Sequence, residues 1–282
     1  MKLKLLNFEE QVIPLDTWIQ NGVDWLVSNY RDTFQVIKVP IEKTLDVLQW
    51  SFAFLPPFVL IALLALAAWR YAGKRVMIFT ILSLLLIGYL GLWEDTMITL
   101  SMVVCSVLFC AVAGIPLGIL SGRSDRFEMI LRPFLDAMQT TPAFVYLIPV
   151  VMLFSIGTVS GVLATIVFAL PPIIRLTSLG IRQVHPELVE AAVAFGATPW
   201  QVLRKVQFPL ALPSIMTGLN QTIMMALSMV VIAALIGAGG LGGPVVQGLN
   251  TLEIGLATIG GLAIVLLAMI LDRITQGFAK AR

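Results

Sequence analysis

Very few side chains in this chain of 282 residues have the types and spacing to do chemistry, since 12% are charged and His185 is the one histidine. Acid–base or nucleophilic catalysis needs complementary groups within reach of each other. His185 has no acid or nucleophile at a readable spacing, so no catalytic residue is predicted. Cys105 and Cys110 lie in one apolar run without a second pair or a neighbouring histidine, and read as structural thiols rather than metal ligands. The Gly73-Lys74 pair is followed by Arg75 and has no matching upstream glycine. It therefore lacks the backbone cradle of a phosphate loop, and the chain is not expected to hydrolyse ATP alone.

What remains is polar chemistry inside apolar sequence. Asn220, Met224 and Ser228 recur every fourth residue on one helical face, with Gln221 beside them. Gln139, Thr140 and Thr141 precede Pro142 in the same way. Polar groups in lipid are costly unless they face protein or water. Two readings stay open, the lining of a translocation pathway and hydrogen bonding between helices.

The elements that position these residues follow from hydropathy. Hydrophobic residues make up 59% of the chain and the mean hydropathy is +0.96, against a charged share of about 25% in ordinary soluble domains. This excludes a water-soluble globular protein, and the net charge of +2 gives no reason to expect nucleic acid. Uncharged runs cover 47–69, 76–93, 96–122, 137–174, 206–252 and 254–271. As one helix, 137–174 would be about 57 Å long, too much for a hydrocarbon core of about 30 Å. It is predicted to fold back at Ser155 to Gly161, giving spans near 142–155 and 161–174. The run 206–252 is read as one span, about 210–235, followed by a glycine-rich connection, Gly237 to Gly243, that dips back toward the membrane.

Seven spans place Arg70, Lys74, Arg75, Arg123, Arg126, Arg132, Arg175, Arg182, Arg204, Lys205, Arg273, Lys280 and Arg282 on one side. Cytoplasmic loops are enriched in Lys and Arg, so the N-terminus is expected outside and the C-terminus inside. The N-terminus has no apolar stretch of signal-peptide length. Leu15, Ile19, Gly22, Leu26, Tyr30 and Phe34 form one stripe of a tail helix expected to lie on the outer leaflet and to close at Pro40. The expected organisation is an extracytoplasmic tail 1–46, a membrane domain 47–277 and a cytoplasmic end 278–282.

One segment, Arg175 to Pro209, is neither membrane nor linker. His185 is the expected N-cap of a helix starting at Pro186, with Glu187 at its positive pole and Gly196 as the stop. Thr198, Pro199 and Gln201 restart a helix with the pattern of a capping box, and Pro209 is expected to end it at the membrane. Glu190, Ala191, Ala192, Gly196, Val206, Phe208 and Pro209 resemble the EAA signature of binding-protein-dependent ABC importer permeases. Val206 and Phe208 stand where that pattern favours isoleucine and leucine. Asp136 to Phe154, Phe168 to Arg175 and Asn220 to Ile232 are similar to permeases of the glycine betaine and proline betaine importers, a likeness extending over roughly 50–277.

The resemblance implies an all-α, polytopic membrane protein of about seven transmembrane helices, with an amphipathic N-terminal tail helix and a cytoplasmic coupling helix. It implies a coupling loop, 175–209, that docks into a groove of the ATP-binding subunit, and a multi-pass location in the cytoplasmic (inner) membrane. It further implies a homodimer with a second copy of this permease, two ATPase subunits that bind the ATP and Mg, and a separate extracytoplasmic binding protein that selects quaternary ammonium compounds. No cofactor is expected in this chain. An importer permease for an amino acid such as histidine remains open as an alternative. A self-sufficient channel would not need the coupling loop.

Overall fold

Prolines and glycines decide where the helices stop. The computed structural model describes residues 14–280, and the described residues hold helices and turns but no strand. The first 13 residues of the expected tail, and Ala281 and Arg282 of the expected C-terminal end, lie outside them. In chain order the helices are α1 Leu15–Phe54, α2 Pro57–Ala72, α3 Lys74–Tyr89, α4 Trp93–Arg123, α5 Asp125–Thr140 and α6 Leu147–Phe154, the last entered through a 3-10 turn at Ala143–Tyr146. Then come α7 Thr158–Arg182, α8 Pro186–Ala194, α9 Pro199–Val202, a π turn at Leu203–Gln207, α10 Phe208–Ala234, α11 Gly242–Thr251 and α12 Ile254–Lys280.

Among the described residues, four helical stretches are long and apolar enough to cross a bilayer: Trp93–Arg123, Thr158–Arg182, Pro199–Ala234 and Ile254–Phe278. Two bent pairs, Thr33–Phe54 with Pro57–Ala72 and Asp125–Thr140 with Ala143–Phe154, each turn through 107° and raise the number to six. All seven expected spans fall on helices, but α3, with 16 residues, is only about 24 Å long, and α6 has eight residues.

Several expected boundaries are corrected. The first helix does not close at Pro40; it runs on to Phe54, with a departure from helical geometry at Tyr30 (φ −124°, ψ 15°). One proline removes a single backbone bond, and here Phe34 before it and Ile41 and Leu45 after it are packed into the same core. The break falls instead inside the expected span 47–69, at Leu55, which is extended (φ −74°, ψ 126°) ahead of Pro56 and Pro57. The expected loop between 123 and 136 is helix α5. The fold-back after α6 is at Ser155 and Gly157, as its small residues suggested, and α7 begins at Thr158.

Helix α7 is the core helix: 61% of its apolar stretch is buried, against 28% for α12. Gly114, Gly118 and Gly122, one turn apart on α4, lie against Ile173, Thr177 and Ile181 of α7. This is the small-residue spacing that lets two membrane helices approach closely. The pairing runs in the same direction along both helices, so α5 and α6 return the chain between them. Helix α10 packs antiparallel on α7, with Gly180 against Ala211 and Ser214, and Gly218 against Ile173 and Leu176. The glycine-rich connection folds back on α4: Leu241 is fully buried and its N–H donates to Thr99 Oγ1 at 2.8 Å.

Candidate functional site

The segment between α7 and α10 has two well-defined turns. Helix α8 starts at Pro186 with His185 in the N-cap position, although the imidazole makes no capping bond. It ends in a Schellman arrangement: the Gly196 N–H donates to Val193 O at 2.8 Å, and the Ala197 N–H to Ala192 O at 3.0 Å. Gly196 has φ +80°, the left-handed conformation this motif requires at its terminal position. Helix α9 opens with a complete capping box, in which the Thr198 N–H donates to Gln201 Oε1 at 2.8 Å and the Gln201 N–H to Thr198 Oγ1 at 3.4 Å.

The expected limits of this segment shift at both ends. Arg175 is not its start, because α7 continues to Arg182. Pro209 does not end it, because the chain is helical without a break from Pro199 to Ala234. The π turn at Leu203–Gln207 immediately precedes Pro209. Its wider ring makes room at the carbonyl of Lys205, which the pyrrolidine would otherwise strike.

Helix α8 buries none of its residues. Leu188 and Val193 are exposed, Phe195 is 93% exposed and Trp200 is exposed just beyond the turn. Among them stand the exposed Glu190, Ala191 and Glu187, with Ala192 half-buried. The face of α8 thus combines exposed apolar and small residues with two carboxylates on a helix held between two capped turns. Val206 in the π turn and Phe208 at the start of α10 are half-buried, and Pro209 is exposed.

The loop is anchored through residues that spacing alone did not reveal. At the end of α7, Arg182 Nη1 lies 2.7 Å from Asp125 Oδ1, and Nη2 lies 2.6 Å from Glu128 Oε2 and donates to Ser121 O at 2.9 Å. Two turns earlier Arg175 Nη2 lies 2.5 Å from Asp136 Oδ1. One helix, α5, is thus tied to α7 at both of its ends. A signal existed in the charges at the edges of the two apolar runs, but their pairing needed the fold.

The polar residues of the membrane segments divide into two groups. Asn220 is engaged: its Nδ2 donates to Asp272 Oδ1 at 2.9 Å and its Oδ1 accepts from Thr275 Oγ1 at 2.6 Å, while Gln276 Nε2 donates to the same Asp272 oxygen at 2.7 Å. Asp272 lies inside α12 and Arg175 inside α7, so the ends of the uncharged runs 254–271 and 137–174 are not ends of helices. Gln221, Met224 and Ser228 form an exposed stripe on α10, and the Ser228 hydroxyl donates back to Met224 O at 3.0 Å. Gln139 and Thr140 are exposed and Thr141 is half-buried at the bend after α5, with both threonine hydroxyls donating to Ala137 O. No hydrogen bond among the described residues joins this bend to the stripe.

An accessibility test separates the two groups. In a chain whose native Cys105 and Cys110 are replaced by alanine, a bulky water-borne thiol reagent is expected to modify cysteine at Ser228 and to leave cysteine at Asn220 unreacted. Equal labelling at both positions would show that the packing of α10 on α12 around position 220 does not close that face.

Residues 114–281 match the family described as binding-protein-dependent transport system inner membrane component. The chain is 54% identical over 273 residues to the glycine betaine/proline betaine transport system permease protein ProW of Escherichia coli, covering 97% of this chain and 77% of that protein. It is 49% identical to the glycine betaine/carnitine transport permease protein GbuB of Listeria monocytogenes, covering 95% and 96% of the two chains. Among solved structures it is similar to an inward-facing MetNI methionine ABC transporter, with a TM-score of 0.58 and 27% identity over 67% of this chain and 93% of that one.

Proposed function

Because the chain belongs to the family of binding-protein-dependent transport system inner membrane components, we propose that it is the permease subunit of an ATP-driven importer of small quaternary ammonium solutes such as glycine betaine. The observation that carries the substrate class is the identity of about half, over nearly the whole chain, to permeases named for glycine betaine, proline betaine and carnitine. In this reading the coupling loop faces the cytoplasm, where it docks on one of two ATPase subunits that hold the ATP and Mg. A second copy of the permease completes the pathway, and an extracytoplasmic protein delivers the solute. The N-terminus and the α1–α4 junction then face outward.

Mechanistically, the exposed face of α8 takes up the motion of the ATPase. Arg182 and Arg175 pass it to α5, and the unbroken Pro199–Ala234 helix passes it to the membrane domain. The exposed stripe Gln221, Met224 and Ser228, with Gln139 to Thr141 at the α5 bend, offers weak polar contacts to a solute that must bind briefly and leave.

Reconstitution tests this reading. Proteoliposomes containing the permease, its ATPase and a glycine betaine-binding protein are expected to take up glycine betaine only when ATP is present, whereas the chain alone gives neither flux nor nucleotide binding. Solute flux through the chain alone would favour the channel reading.

A further inference from the structure

At the end of the membrane domain opposite the coupling loop lies a cavity of about 430 Å³, within the size range of small-molecule sites. Its walls include Gln49, Phe52 and Ala53 from the last turns of α1, and Trp93 and Glu94 from the first turn of α4. None of the groups assigned to coupling or to the pathway touches it.

Four features give the cavity negative character. Pro56 and Pro57 have no N–H, so the carbonyls of Phe52 and Ala53, four residues before them, lose their helical donors at the negative pole of α1. The Glu94 carboxylate and the Gln49 amide, both lining the cavity, have no hydrogen-bond or ion-pair partner among the described residues. Asp95 stands beside Glu94, so two carboxylates face an N-terminal helix pole worth only about half a positive charge. No Lys or Arg lines the cavity. Phe52 and Trp93, both half-buried, add aromatic rings, whose faces attract cations.

An inorganic cation would need oxygens on every side, whereas much of this wall is Phe52, Trp93, Leu55, Met97 and Ile98, and an anion would meet Glu94. An alkylammonium group satisfies the whole set, with its methyl groups on the rings and its charge toward the carboxylate. We propose that this cavity is a binding site for a net-cationic alkylammonium group, preferring choline to a betaine, whose own carboxylate Glu94 repels. Its placement at the outer face rests on the importer reading; its ligand chemistry does not. The same group can come from a solute or from the amine of a lipid headgroup.

The test uses the full chain in nanodiscs of phosphatidylglycerol, with choline and glycine betaine titrated by equilibrium dialysis. Saturable choline binding is expected, with glycine betaine at least tenfold weaker. Glu94→Gln should weaken choline about tenfold and Phe52→Leu about fivefold, in keeping with a charge contact and a cation–π contact on a half-buried ring. Glu94→Asp should retain binding, and all three variants should keep the wild-type unfolding midpoint. Nanodiscs of phosphatidylethanolamine separate the sources: loss of choline binding there assigns the site to a lipid amine, and unchanged binding assigns it to a solute. Absence of saturable choline binding in phosphatidylglycerol, insensitivity to both Glu94→Gln and Phe52→Leu, or equal affinity for glycine betaine would overturn the proposal. ATP-driven uptake is a separate measurement, so failure of the importer reading would leave these binding results unaffected.

Discussion

A permease carrying Glu190→Lys is expected to reach the membrane at wild-type abundance and to support less than about a tenth of wild-type uptake, with ATPase co-purification falling in step. Glu190 is exposed on a helix that buries nothing, so reversing its charge costs the isolated fold little. Loss of a charge-assisted contact in an interface costs about 1.5–3 kcal/mol, a tenfold to hundredfold effect on assembly. Gly196→Val is expected to have the same effect by another route. An added Cβ there meets nothing within 4 Å, but a branched side chain at φ +80° is disfavoured by roughly 1–2 kcal/mol and would re-aim α8. Quantitative blots, pull-down of the ATPase and solute uptake on the same membranes check this. Normal ATPase binding with normal uptake in both variants would remove α8 from the coupling role.

Gly118→Leu should fail much earlier, at folding. A Cβ at this position would lie 2.5 Å from Thr177 Cβ and 2.7 Å from the Ile174 carbonyl oxygen, and Gly118, Ile174 and Thr177 are all buried where the two helices touch. Overpacking of this kind costs about 1–3 kcal/mol, occasionally more, and here it falls on the crossing that organises the core. Membrane abundance is expected to drop below about a fifth of wild type, with a lower unfolding midpoint in detergent for whatever remains; Gly118→Ala should fall between. By contrast Gly73→Ala, at a turn with open space around it but φ +91°, should have a smaller effect. A wild-type midpoint for the leucine variant would show that the two helices are free to separate.

Much of this was legible in the sequence because it depends on local chemistry. Proline at the first position of α8, glycine at its end and the Thr198–Gln201 capping box each act within a few residues, and the turns formed where those residues stood. The apolar runs likewise became helices. What the sequence hid was long-range or cooperative. Pro40 and Pro209 read as stops because a single proline usually is one, yet core packing around Pro40 and a widened turn before Pro209 carried the helix through. Asp272 merely bounds an uncharged run in the sequence, and its pairing with Asn220, 52 positions earlier, needed the fold. The cavity between Phe52 and Trp93 had no signal at all, since Phe52 near the end of α1 and Trp93 at the start of α4, 41 positions apart, meet there.

The unbroken helix from Pro199 to Ala234 has a mechanical meaning. Its 36 residues make a shaft about 54 Å long. Its lower end carries the exposed Trp200, and its upper part is keyed into α7 by the Thr222 hydroxyl on Ala169 O at 3.1 Å and into α12 by Asn220. A flexible joint at Pro209 would have absorbed a push at the base as local bending. In the importer reading, the helix that runs on through a π turn there carries a displacement at Trp200 along its backbone toward the face, some 30 Å away, that holds Gln221 and Ser228.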